Sequence, residues 1–476
     1  MTTYATRPAA PAKRPPARPL PRPALRHWWG DAVGSVVWAT ALVVVALWIQ
    51  HGGIQDVTAG LGQALSSLGR LTGLVASDLL LLQVLAMARI PWAERSLGQD
   101  RLARWHRILG FSSFNLMVAH IVLIVIGYAV LDHSPVLGEL WGLVTTAPGM
   151  LIATAGTALL VLVTVTSIRV ARRRLRYESW HLLHLYAYLG VGLALPHQLW
   201  TGADFLASPA ATIYWWGLWA LAATAVVVFR GVLPLRRSLR HRLTVASVTR
   251  DTKDVVSIRI TGHRLDELNV APGQFFVWRF RGGRGWTRGH PLSLSAAPTT
   301  DGLRITLNVR GDDGARLARL PTGTSVLVEG PYGRLTPEVR TRTGLALVGS
   351  GLGLAPLVAI LQDAVRTGSL TRQATVVRRL RSTGRQPFDK DLEELTRTGW
   401  VRVVDLIGPR STNGTPWLPA ESGHVPGPDA LRQLIPDLAD CDVYICGTSP
   451  WAAAVAADAR DAGLPANAVH VEHFSW

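Results

Sequence analysis

Six apolar stretches, near residues 33–49, 71–88, 109–130, 149–168, 180–199 and 211–229, constrain this chain more than any other feature. Each approaches the ~20 residues that a helix needs to cross a ~30 Å hydrocarbon layer. The segments around Arg89–Arg107, Arg169–Arg176 and Arg230–Arg242 are arginine-rich, whereas the alternate loops 51–69, 131–147 and 200–210 contain no Lys or Arg. The positive-inside rule then predicts a six-span bundle in the cell (inner) membrane, with both termini in the cytoplasm. Charge and composition agree: 49 Lys and Arg stand against 32 Asp and Glu, a net charge of +17, in a chain that is 48% hydrophobic. A nucleic-acid binder would spread its charge along an aromatic-interleaved stripe, so lipid is the expected partner and nucleic acid is not. Residues 1–28, rich in proline and basic residues, cannot pack a core and read as a disordered arm near anionic lipid. The first apolar run reads as a retained span. The two cysteines, Cys441 and Cys446, are too few for a disulfide framework or a four-thiolate metal site.

Past residue 240 the pattern changes to period two. Val256, Ile258 and Ile260 alternate with polar neighbours, as do Ile305, Leu307 and Val309, which predicts a small antiparallel β-barrel over 240–340. From 341 to 476, short buried strands (345–348, 374–377, 401–404, 443–446) alternate with helical segments, the grammar of a doubly wound α/β domain. The expected organisation is therefore an arm (1–28), a membrane bundle (29–232), a barrel (240–340) and an α/β domain (341–476).

Ionisable residues inside a membrane suggest a functional site. His106 and His120 lie 14 residues apart in the third stretch. On an ideal helix that is ~21 Å of rise and only ~40° of rotation, so both can face the bundle interior near opposite leaflets. His184 and His197, in the fifth, differ by ~220°, and Pro196 is the residue that could redirect the outer ring. The pairing expected is His106 with His184 on one side and His120 with His197 on the other, each pair gripping a haem iron. The competing reading is hydrogen bonding between helices, and His181 competes with His184. Asp78 and Asn115 are expected to bond between helices.

The runs GQDRLARWHRILG (Gly98–Gly110) and YESWHLLHLYAYLGVGLALPH (Tyr177–His197) resemble the haem-bearing helices of the ferric reductase and NADPH oxidase superfamily. That resemblance implies six spans carrying two b-type haems. Pro272-Gly273-Gln274-Phe275 and His290-Pro291-Leu292-Ser293-Leu294-Ser295 resemble the flavin-binding strands of the ferredoxin–NADP reductase superfamily. It implies FAD, with Ser293 near the flavin N5 and His290 and Arg288 on the phosphates or ribityl chain. Gly311-Asp312-Asp313-Gly314-Ala315-Arg316 falls where the family holds the FAD pyrophosphate; the family often has Ser or Thr at the place of Gly314.

Gly349-Ser350-Gly351-Leu352-Gly353-Leu354-Ala355-Pro356, with Cys446-Gly447 and the C-terminal Glu472-His473-Phe474-Ser475-Trp476, resembles the nicotinamide domain. Arg378, Arg379 and Arg381 stand where an NAD site would place an acid, which favours NADPH over NADH. By the same resemblance Trp476 or Phe474 covers the flavin, and Cys446 lies near the nicotinamide without acting as a nucleophile.

The resulting expectation is an oxidoreductase passing electrons from NADPH through FAD and two haems to dioxygen or a ferric chelate on the far face. Alternatives are the same cofactors serving a quinone or a partner redox protein, and a non-enzymatic membrane redox sensor. Oligomeric state has no signature in the sequence.

Overall fold

The computed structural model describes residues 28–168, 177–283 and 285–474. The arm (1–27), the arginine segment 169–176, Arg284, Ser475 and Trp476 lie outside them. The chain divides into two compact units, His27–Val232 and Leu233–Trp476.

The first unit is helical. Its long helices are α1 (Trp28–Gln50), α2 (Leu61–Met87), α3 (Gln99–Leu131), α4 (Met150–Ser167), α5 (Tyr177–Trp200) and α6 (Pro209–Val226). Five helices among the described residues are long and apolar enough to cross a membrane, rather than the six expected. The exception is α5, which at 24 residues has the length. Its three histidines, two inner tyrosines and Pro196 dilute its apolar character. Outward residues such as Trp38 (73% exposed) and Ile213 (74%) present large apolar surface, which suits hydrocarbon.

Small residues set the helix spacing, because association in lipid depends on close backbone approach. A side chain at Gly73 of α2 would come within 2.6 Å of the His120 ring on α3. Gly156 of α4 and Gly190 of α5 each lie against the other's carbonyl, so a Cβ on Gly156 would sit 2.7 Å from it. Asp78 is fully buried and accepts a 2.5 Å hydrogen bond from Tyr214 of α6. Asn115, by contrast, is exposed and donates to Phe111 O of its own helix, not across to a neighbour.

The second unit opens with helix α7 (Leu233–His241) and continues as strands β1 (Thr244–Thr252), β2 (Val255–Thr261), β3 (Phe275–Phe280), β4 (His290–Ser293), β5 (Leu303–Asn308) and β6 (Val326–Tyr332). Alternation along β3 turns Phe276, Trp278 and Phe280 inward, where they pack with Ile258, Ile260, Leu294 and Val328. The expected closed barrel is absent. Two three-stranded antiparallel sheets, β1-β2-β5 and β4-β3-β6, face one another, joined by isolated bridges at Thr244–Ser325 and Leu294–Ile305 and by backbone bonds such as Val245 N to Thr324 O and Ser295 N to Arg304 O. Between the sheets, β1 meets β6 and β4 meets β5 at short bridges and not along continuous ladders.

The remaining strands, β7 (Gly344–Ser350), β8 (Ala374–Leu380), β9 (Val401–Ile407), β10 (Cys441–Thr448) and β11 (Val469–Phe474), form one parallel sheet in the order β11-β10-β7-β8-β9. Apolar clusters cover both faces, one built on Leu347, Leu357 and Tyr444 and the other on Val348, Ile445 and Trp451. The order reverses between β7 and β10, and the crevice at the strands' carboxyl ends there is where doubly wound sheets bind ligands.

Candidate functional site

In the membrane unit the His106 and His184 rings meet with centroids 5.8 Å apart and planes at 68°. At that separation the two imidazoles could hold one haem iron between them, given metal–nitrogen bonds of about 2 Å. His106 Nδ1 lies 3.2 Å from Gln83 O and His120 Nδ1 2.8 Å from Gly69 O. A carbonyl only accepts, so in both rings Nδ1 carries the proton and Nε2 keeps its lone pair, the tautomer that a metal ligand requires. His184 Nδ1 pairs with Ser167 Oγ at 3.2 Å, beside the Trp180 ring. His197 Nδ1 is buried without a well-formed hydrogen bond among the described residues, and His197 is close enough to His120 to interact electrostatically. His184 is therefore the α5 histidine that faces His106, while His181 lies against Trp180. Gln83, Gly69 and Ser167, which orient these rings, carry no sequence signal, because they are remote in the chain.

Around β4 the structure gathers a basic cradle. His290 Nε2 is 3.3 Å from Arg316 Nη2, and Arg288 pairs with Asp313 at 2.8 Å. Burial, together with the Arg316, Arg288 and Arg279 charges, outweighs Asp313 and holds the His290 pKa below its ordinary value. The imidazole is thus neutral among guanidinium groups, an arrangement that suits a phosphate, with Asp313 as the counter-ion to be displaced. Arg316 and Arg279 are the members that motif reading left unassigned. A cavity of about 720 Å³ opens beside them, lined by Arg281, Asp312, Arg316, Arg319 and Thr324.

Ser293, Pro291 and Leu292 lie on β4, with Ser293 beside Phe275 of β3. Three expected contacts are otherwise engaged. Gln274 is buried and braces its own turn, accepting from Ala271 N and donating to Gly333 O. Ser295 is fully buried in a hydroxyl ladder with Thr306 and Arg304. Gly314 is buried where a Cβ would meet Asn308 O at 2.5 Å, so packing explains why Ser or Thr is missing there. Gly311, by contrast, has φ +81° and open space around it.

At the switch point Gly349 of β7 is the register partner of Cys446 of β10, which in turn faces Glu472 of β11. The turn Gly351–Gly353 leads into a helix, Leu354–Arg366, with Pro356 buried in its first turn. A Cβ on Gly353 would lie 2.3 Å from Cys446 O, whereas Gly351 (φ +57°) faces open space beside Ser350. A side chain on Gly447 would strike Trp451. Burial, reinforced by Glu472, pushes the Cys446 thiol well above its ordinary pKa, so it is no thiolate nucleophile.

The three arginines at the end of β8, Arg378 and Arg379 within it and Arg381 just past it, separate. Arg378 is buried and held by Asp405 through two 2.7 Å bonds and by Asp389 through a third. Arg379 donates to the backbone carbonyls of Leu406, Gly408 and Pro409. Both guanidiniums thus have partners within the fold. Arg381 is exposed, as is Arg410 nearby. Phe474 ends β11 opposite Thr448, and Trp476 lies outside the described residues.

Residues 72–195 match the family described as the ferric reductase like transmembrane component. Over 242 residues, 49% of this chain and 65% of the relative, the sequence is 29% identical to the ferredoxin reductase component of a 3-ketosteroid-9-alpha-monooxygenase from Mycolicibacterium smegmatis. It is 23% identical to a superoxide-generating NADPH oxidase heavy chain from Dictyostelium discoideum, covering 43% of this chain and 40% of that one. The match thus spans less than two thirds of either relative. A solved FAD/NAD binding domain of a nitric oxide dioxygenase from Vibrio cholerae is 22% identical with a TM-score of 0.40, covering 49% of this chain and 99% of that domain.

Proposed function

We propose, from the premise that this chain joins a ferric reductase like membrane component to a ferredoxin reductase like half, as in the ferric reductase and NADPH oxidase superfamily, that it is a transmembrane electron carrier. Electrons enter from cytoplasmic NADPH and leave to dioxygen or a ferric chelate on the opposite face. The observation that supports this most is the meeting of His106 and His184 across two helices, with the His106 Nδ1 tied to a carbonyl.

When bound, FAD would divide the hydride's electron pair into single electrons and two b-type haems would carry them through the membrane. His106 and His184 would hold one haem, His120 and His197 the other. The Gln83 and Gly69 carbonyls fix the proton on Nδ1 of His106 and His120 and so keep Nε2 available. Arg288, His290, Arg316 and Arg279 would hold the dinucleotide's phosphates, and the Ser293 hydroxyl offers a hydrogen bond to the flavin edge. Gly349, Gly351 and Gly353 admit a nucleotide at the switch point, where Cys446 stays a thiol. Arg381 is the arginine of the trio left to meet a 2′-phosphate. In this reading 29–232 is the haem domain, 240–340 the FAD domain and 341–476 the NADPH domain, and Trp476 or Phe474 covers the flavin.

The test is spectroscopic. Protein from haem-replete cells should show a Soret band, NADPH under argon should reduce it, and oxygen or ferric chelate should restore the oxidised spectrum. A flavin-containing preparation without Soret absorbance overturns the transmembrane path.

A further inference from the structure

Asp78 lies in the interior of α2, wholly buried, and the electron path drawn above does not use it. Its Oδ1 is 2.5 Å from the Tyr214 hydroxyl of α6. Its Oδ2 is buried with no hydrogen-bond partner among the described residues. The cationic groups of the same unit go elsewhere: Arg70 and His51 pair with Asp56 and Asp204, and Arg89 pairs with Glu94. A lone carboxylate in a membrane interior is costly, and a bound proton is what neutralises it.

Thr40 of α1 completes the site, because its carbonyl oxygen lies 3.4 Å from the Tyr214 hydroxyl. With Asp78 ionised, the phenol hydrogen goes to Oδ1. With Oδ1 protonated, the acid donates to the phenol oxygen and the phenol hydrogen turns to Thr40 O, which only accepts. The same three groups therefore hold together in both protonation states.

Helix α2 also sets the level of the site. His120 meets this helix at Gly69 and Gly73, and His106 meets it at Gln83. Asp78 is about 7.5 Å of helical rise from Gly73 and the same from Gln83, at ~1.5 Å per residue, so it lies between the two histidine levels. The titratable groups turned toward this stretch of α2 are Tyr214 from α6 and, at those two levels, His106 and His120 from α3. From α1 comes the Thr40 carbonyl and from α5 the neutral Gln198, bonded to Ser77.

We propose that Asp78 is a proton-binding site coupled to electron passage through the membrane unit. As one electron enters between the histidine levels, one proton from water joins the Asp78 carboxylate and forms the O–H bond of a neutral acid. When the electron leaves for the acceptor, that bond breaks and the proton returns to water. Charges in a low-dielectric interior act on one another strongly enough to favour this compensation. The inference rests on the two-haem reading of the proposed function, and its test separates the two.

The full chain, purified with its haem, is titrated spectroelectrochemically between pH 6 and pH 8. One haem midpoint should fall as pH rises, by up to about 59 mV per pH unit, a tenfold change in electron affinity for one proton per electron. Asp78→Asn should keep both haems and hold that midpoint near the parent's low-pH value at every pH. Infrared difference spectra of the parent should gain a carboxylic-acid carbonyl band on reduction, absent from Asp78→Asn and shifted in Tyr214→Phe, which keeps the ring. Midpoints of the haem-loaded parent that ignore pH, an unchanged slope in Asp78→Asn, or a carboxylic-acid band indifferent to reduction overturns this inference alone. A preparation without Soret absorbance overturns the proposed function and this inference with it.

Discussion

Arg378 and Arg381 lie three positions apart and read alike in sequence, yet their replacement should have opposite consequences. Arg378 is 9% exposed and makes three 2.7 Å bonds to Asp405 and Asp389, whose side chains are 32% and 26% exposed. Removing the guanidinium leaves two carboxylates that water reaches in part, which places the cost below the 3–5 kcal/mol of a fully buried broken pair, at about 2–3 kcal/mol. For a unit of this size that is a fall in Tm of roughly 5–10 °C. Arg378→Ala should therefore melt early while its ratio of KM for NADPH to KM for NADH stays near that of the parent. Arg381→Ala removes a solvent-facing charge and should leave Tm unchanged. Loss of one charge-assisted contact to a 2′-phosphate, about 1.5–3 kcal/mol, should raise KM for NADPH roughly tenfold to a hundredfold and leave NADH untouched. Steady-state kinetics with both coenzymes and a thermal melt of each variant decide the matter. An Arg378→Ala protein with unchanged Tm and a selective loss of NADPH would refute the division of labour drawn here.

Three other outcomes follow from the geometry. His184→Ala should lose the bis-histidine Soret signature of one haem, whereas His181→Ala should keep both, as measured by haem per polypeptide and low-temperature spectra. Burial lowers the His290 pKa, so in the empty protein this residue contributes stability that is complete above the unfolded value of about 6.5 and is lost as pH falls through the folded pKa. A bound phosphate reverses the preference by favouring imidazolium. FAD should then bind more tightly at pH 6 than at pH 8 by equilibrium dialysis, and His290→Gln should flatten that slope. Gly353→Ala should abolish coenzyme-dependent reduction because its Cβ would lie 2.3 Å from Cys446 O, while Gly351→Ala, strained but unobstructed, should retain part of it.

Much of the architecture was legible because it is written in local periodicity. An apolar run of membrane length, a period-two strand and a glycine turn after a buried strand each depend on neighbours a few residues away. The histidine spacing on α3 was readable for the same reason, since a helix fixes rise and rotation. Closure of the barrel was not readable, because it depends on pairing between strands distant in sequence, β1 with β6 and β4 with β5.

By itself the sequence determined that this chain spans a membrane, that its second half is β followed by α/β, and which residue types stand where cofactors are expected. The tertiary structure decided which of those residues are free. Arg378 became a structural pin through partners 11 and 27 residues away, Gln274 and Ser295 were drawn into internal hydrogen bonds, and His184 was brought to His106 across two helices. A side chain's availability depends on what burial places against it, and that is set by packing between elements, which local pattern does not encode.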